Sequence, residues 1–119
     1  MDLQIHGSVV VAGGNRIEVG APVLSAVGSD TLILVLVDPD SYLTDPEYRR
    51  KRRSGIPAVR NLRAFSTSGT PLWEAELPEA ADYYHRIIGI QPIVVDSFSG
   101  YRCQISALTG KIESHEFMK

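Results

Sequence analysis

Two stretches of this chain constrain its fold more than any others. Residues 61–77, NLRAFSTSGTPLWEAEL, and residues 101–117, YRCQISALTGKIESHEF, each read as a strand, a glycine turn and a second strand. In the first, residues 63–66 alternate polar and apolar up to Thr67-Ser68-Gly69, and residues 72–77 lead away. In the second, Tyr101, Cys103 and Ile105 share one face and Arg102, Gln104 and Ser106 the other, before Leu108-Thr109-Gly110 turns. Side chains alternate across a strand, so two period-two runs around a glycine are the pattern of a hairpin. Gly69 and Gly110 stand 41 residues apart, the repeat length of a four-stranded sheet unit. Both glycines are expected at positive φ, and Trp73 is expected to be buried against a strand of the other half.

The rest of the chain continues in the same idiom. Residues 3–12 read as one strand, Gly13-Gly14-Asn15 as a turn, and residues 16–20 and 23–27 as further strands. Residues 31–37, TLILVLV, hold six consecutive apolar residues. That run is too short for an ordinary helix and loads both faces, which suits a strand covered on both sides. Strands are also expected at 59–66, 72–77, 83–90, 93–97, 101–107 and 111–117. Ten glycines and seven prolines, nearly all between the runs, punctuate them. The expected fold is mainly β: a single domain built as an antiparallel meander of about nine strands, curled or sandwich-like, with one short surface helix.

That helix is expected at Pro46–Arg53. Thr44 and Glu47 have capping-box spacing, and Asp45 before Pro46 offers an alternative cap. Arg49–Arg53 places cations toward the negative end of the helix dipole, and Gly55 and Pro57 are stop signals. Tyr48 is nearly its only apolar residue, so the helix has little to bury.

Bulk properties narrow the function classes. With 44% hydrophobic and 22% charged residues the chain has the composition of a globular domain, and no apolar run approaches the ~20 residues of a membrane-spanning helix. The start, Met1-Asp2, has neither a basic region nor an apolar one behind it, so secretion is not expected. The only cysteine, Cys103, leaves no internal disulfide and fits a reducing cytoplasm. His6, His85 and His115 lack metal-ligand spacing, and the acids Asp38, Asp40, Asp45 and Glu47 lack the glycine of a calcium loop. No metal and no cofactor are expected. Neither a nucleophile elbow nor a phosphate-binding glycine loop occurs, so the reading leans away from an enzyme without excluding one.

Charge distribution is more informative than the net charge of −2. Residues 49–63 hold seven of the twelve basic residues and no acid: Arg49, Arg50, Lys51, Arg52, Arg53, Arg60 and Arg63. Four acids precede them between Asp38 and Glu47, and four follow between Glu74 and Asp82. A solvated helix face explains these cations; so does a contact surface for an acidic partner. A nucleic-acid surface is the weaker version, because no aromatic residues interleave with the arginines for base stacking.

The Ser68-Gly69-Thr70-Pro71-Leu72-Trp73 segment resembles the turn of quinoprotein-type β-propeller blades, in which the aromatic locks one blade against the next. Leu108-Thr109-Gly110-Lys111 resembles the same turn, with Ser114 where the tryptophan would stand. One and a half such units do not close a propeller, so its central cofactor site is not implied. Ser99-Gly100-Tyr101-Arg102 and Thr109-Gly110-Lys111-Ile112 resemble segments of small bacterial β-proteins of unknown function, some of them immunity-protein-like. That resemblance implies a cytoplasmic, non-enzymatic interaction module whose protein partner is a toxin domain. Binding of nucleic acid or another anionic partner through residues 49–63, and an enzyme without a recognisable motif, are the alternatives. Oligomeric state is not implied.

Overall fold

The computed structural model describes residues 2–53 and 59–118, apart from the side chains of residues 51–53. It is mainly β, with eleven strands and two short helices among the described residues. The strands form three antiparallel sheets rather than one continuous meander. Sheet I contains β1 (Leu3–His6), β2 (Val9–Ala12) and β3 (Asn15–Glu18). Sheet II contains β4 (Val23–Gly28), β5 (Ile33–Val37), β6 (Leu62–Phe65) and β7 (Pro71–Glu74). Sheet III contains β8 (Tyr84–Ile90), β9 (Ile93–Ser97), β10 (Tyr101–Ile105) and β11 (Ile112–Phe117). Within each sheet the strands lie side by side in chain order.

The strand count exceeds the expected nine partly because residues 3–12 are two strands. Gly7, at φ +63°, turns the chain between β1 and β2, which pair from Leu3–Ala12 to His6–Val9. Leu3 and Ile5 before Gly7 and Val9, Val10 and Val11 after it read as one apolar run, which conceals that turn. The second helix, α1 (Asp40–Leu43), was also unexpected: Asp38-Pro39-Asp40 reads as a strand stop. It begins there because Asp38 Oδ1 accepts the Asp40 amide at 3.0 Å, a turn made by a short acidic side chain. Helix α2 (Pro46–Arg53) starts as the Asp45 alternative foresaw. Asp45 Oδ1 accepts the Glu47 amide at 3.0 Å, with Pro46 at the first helical position. Gly55 and Pro57 lie outside the described residues.

Sheet II is the middle layer. Ile33, Val35, Val37 and Phe65 pack on Val10, Ala12, Ile17 and Val19 of the sheet I segment. The opposite face, Leu32, Leu34, Leu36, Leu62 and Ala64, packs on Tyr84, Ile93, Val95, Cys103 and Ile105 of sheet III. All of β5 is therefore buried, none of its residues more than 1% exposed. The successive sheets also interlock through their glycine turns. Asn15 Nδ2 donates to the Thr67 carbonyl at 3.0 Å while Ile17 covers Gly69. One sheet later, Trp73 Nε1 donates to the Ala107 carbonyl at 3.0 Å while the indole covers Gly110. Each lock therefore combines one side-chain N–H with one apolar group lying over a glycine. Trp73 is half-buried, and its partner is the β10–β11 turn rather than a strand.

Gly69 and Gly110 have φ of +98° and +76°. A Cβ on Gly110 would lie 2.6 Å from Trp73 Cε3, whereas one on Gly13, at φ +61°, would meet nothing within 4 Å. Gly13→Ala is expected to cost about 1 kcal/mol, from backbone strain alone. Gly110→Ala is expected to cost roughly 2–4 kcal/mol, because the ring must also move. Urea unfolding of the two variants checks the difference.

Candidate partner-binding surface

The candidate surface is assembled around one hairpin and the two helices. The β9–β10 turn is held from below by Asp82, only 3% exposed. Its carboxylate accepts the Tyr83 amide at 2.8 Å, the Ser99 amide at 3.1 Å and the Ser99 hydroxyl. The Phe98 amide donates to the Tyr83 carbonyl at 2.9 Å, and the Tyr101 amide donates to Ser97 Oγ at 3.2 Å. These bonds fix Phe98 with its ring stacked on Tyr83, centroids 5.0 Å apart and planes at 14°. Even so, Phe98 is 69% exposed. An aromatic ring this exposed, on a backbone this well tied, is pre-organised for contact at little further entropy cost.

Helix α1 lies near enough to this hairpin for Asp40 to act on Tyr83 and Tyr83 on Tyr42. Tyr42 of α1 meets Tyr48 of α2 edge to face at 5.2 Å. The Tyr42 phenol is pushed up by burial first and then by the neighbouring Tyr48 and Tyr83. Its hydroxyl is buried with no hydrogen-bond partner among the described residues. Burial also raises the Tyr83 phenol, with Asp40 and Asp82 adding to the effect.

The seven basic residues do not act as one group. Arg49 and Arg50 are exposed on α2, with Arg49 Nε donating to the Leu43 carbonyl at 3.0 Å and Arg50 Nη2 lying 3.9 Å from Glu47. Arg60 is exposed on the approach to β6. Arg63 turns inward: Nη1 donates to the Val19 carbonyl at 2.9 Å, and Nε lies 3.4 Å from Glu74 Oε2. Its charge serves the junction of sheets I and II. The side chains of Lys51, Arg52 and Arg53 lie outside the described residues.

On the outer face of sheet III the sequence reading missed a charge ladder. Arg86, Asp96, Arg102 and Glu116 are directly opposite one another on β8, β9, β10 and β11. Arg86 Nη2 donates to Asp96 Oδ2 at 2.7 Å, and Arg102 donates through Nε to Oδ1 at 2.8 Å and through Nη2 to Oδ2 at 3.1 Å. The alternation that put Cys103 inward had already put Arg102 outward, but the register that aligns four charges is set by pairing between distant segments. Hydrogen bonds from Arg102 lead the causes that lower the Asp96 carboxyl to about 2, with Arg86 adding and burial opposing.

The residues considered for chemistry are dispersed. His6 is exposed near Gln4, and His115 lies against Tyr101 at 5.4 Å. Cys103 is buried, and burial raises its thiol, the opposite of what a thiolate nucleophile needs. No group of three His, Cys, Asp or Glu side chains is placed to hold a metal among the described residues. No helix there is long and apolar enough to cross a membrane.

Residues 1–117 match a domain of unknown function, DUF7957. The chain belongs to that family. No curated protein and no solved structure matches it.

The Asp96 shift has a sign that can be tested. Its folded value lies below the unperturbed 3.8, so its ion pairs contribute stability above that pH and lose it as pH falls toward about 2. Asp96→Asn is expected to reduce stability at neutral pH and to flatten the fall across that acid window. Denaturation midpoints at several pH values check both.

Proposed function

We propose that the protein is a cytoplasmic, non-enzymatic interaction module that docks an acidic protein surface through the Phe98–Tyr83 stack, with the exposed cations of α2 adding charge attraction. The observation that carries this reading is the exposed, pre-organised Phe98–Tyr83 stack. Aromatic and arginine side chains supply most of the binding energy in protein interfaces, and the surface offers the stack and, on α2, the exposed Arg49 and Arg50. The arginines favour an acidic partner and act chiefly on the rate of encounter. A toxin domain is the partner implied by the resemblance of residues 99–102 and 109–112 to immunity-like proteins. Buried Cys103 and the scattered histidines fit binding better than catalysis.

The test pairs capture by the product of the neighbouring open reading frame with a salt titration against mixed oligonucleotides. Phe98→Ala is expected to change stability by less than about 1 kcal/mol, because the ring is mostly exposed. It is expected to weaken protein capture at least ~10-fold, the effect of losing a contact hot spot. Changing Arg49 and Arg50 to Gln is expected to slow association more than it speeds dissociation. Tight oligonucleotide binding that falls steeply with salt, without protein capture, would overturn the proposal in favour of a polyanion partner.

A further inference from the structure

The outer face of sheet III carries a second feature, independent of Phe98 and the helices. A hollow of about 280 Å³ opens there, lined by His85, Arg86, Asp96, Tyr101, Arg102 and Met118 among others. Asp96 forms its floor, its side chain 12% exposed, and draws in an arginine from each neighbouring strand. The Nη2 atoms of Arg86 and Arg102 both contact Asp96 Oδ2, so the two guanidinium groups are held next to each other.

The two arginines together carry ten N–H donors. Asp96 accepts three of them. Arg86 spends a single N–H on Asp96, has no other partner among the described residues, and keeps its side chain 61% exposed. Two guanidinium groups share the single Asp96 carboxylate, so this trio carries one net positive charge, with the free N–H donors of Arg86 at the mouth of the hollow. His85 supplies another polar group at the rim, while Tyr101 and Met118, the latter 49% exposed, supply an apolar wall. Glu116, opposite Arg102 on β11, lines a separate hollow of about 240 Å³ with it and acts against an anion bound by Arg102.

We infer that this hollow is a binding site for a small oxyanion, a phosphate or carboxylate head group on an apolar body. Guanidinium groups match such heads because their parallel N–H bonds meet two oxygens at once. A carboxylate that fixes both forks before the ligand arrives removes part of the ordering cost. The apolar wall distinguishes an organic oxyanion from a free inorganic one.

The test follows backbone amide and arginine Nε–H resonances while inorganic phosphate, phenyl phosphate or benzoate is added. Saturable shifts at Gly100, Arg86 and Arg102 are expected for phenyl phosphate, benzoate or both, with a dissociation constant of roughly 1 mM or lower and weaker binding of inorganic phosphate. Whichever organic probe binds more tightly identifies the head group. Arg86→Gln, a change at an exposed side chain, is expected to weaken binding at least ~10-fold, and Glu116→Gln to strengthen it about twofold by removing a nearby negative charge. Phe98→Ala is expected to leave oxyanion binding intact, which separates this site from the docking face. Shifts that fail to saturate at roughly 10 mM, or that persist unchanged in Arg86→Gln, would overturn the inference.

Discussion

Burial of β5 on both faces is the constraint on which the rest of the structure depends. An ordinary two-layer β domain needs strands with one apolar face. Here Leu32, Leu34 and Leu36 serve one core while Ile33, Val35 and Val37 serve another. At roughly 1.5–3 kcal/mol for each fully buried aliphatic side chain, this one run joins two sheets that otherwise have separate apolar faces. Among the described residues sheets I and III share no core cluster; each packs on sheet II.

Because strands alone do not fix how sheets meet, polar side chains complete the joints. Asn61, wholly buried, behaves like a piece of backbone: its amide donates to the Val37 and Tyr84 carbonyls and its oxygen accepts the Tyr84 amide. Tyr84 Oη in turn donates to the Glu76 carbonyl, and Glu76 Oε1 accepts the Ile112 amide at 2.9 Å. Arg63 does comparable work between sheets I and II. Losing one partner of such a pair strands the other, at a cost of about 1–3 kcal/mol. The joints therefore specify geometry, whereas β5 supplies the cohesion.

What was legible in the sequence followed from local chemistry. Residues 31–37 declared a doubly covered strand because no polar residue interrupts them. Gly69 and Gly110 declared turns because positive φ is cheap only for glycine, and Asp45-Pro46 declared a helix start. What was not legible depends on pairing between distant segments. Nothing near Arg63 in the chain shows that Val19 waits for it, so it was grouped with the exposed cations. Phe98 carries no local signal of a contact role, because only the folded chain brings Tyr83 beneath it. Arg86, Asp96 and Arg102 became a unit only once the registers of β8, β9 and β10 were known. The division into three sheets was hidden for the same reason, since a meander and a stack of small meanders share one local pattern.

The fold thus separates cohesion from contact. Its central strand β5 is inaccessible, and both proposed binding features lie on or beside sheet III, at the hairpin tip and on the outer face. Strand β5 ties all three sheets into one cooperative unit. Native-state amide hydrogen exchange at increasing denaturant tests it most directly. The protected amides of Ile33–Val37 are expected to exchange only through global unfolding, with the same free energy and denaturant dependence as the whole protein. Exchange of those amides through a smaller opening, while sheet III stays protected, would contradict it.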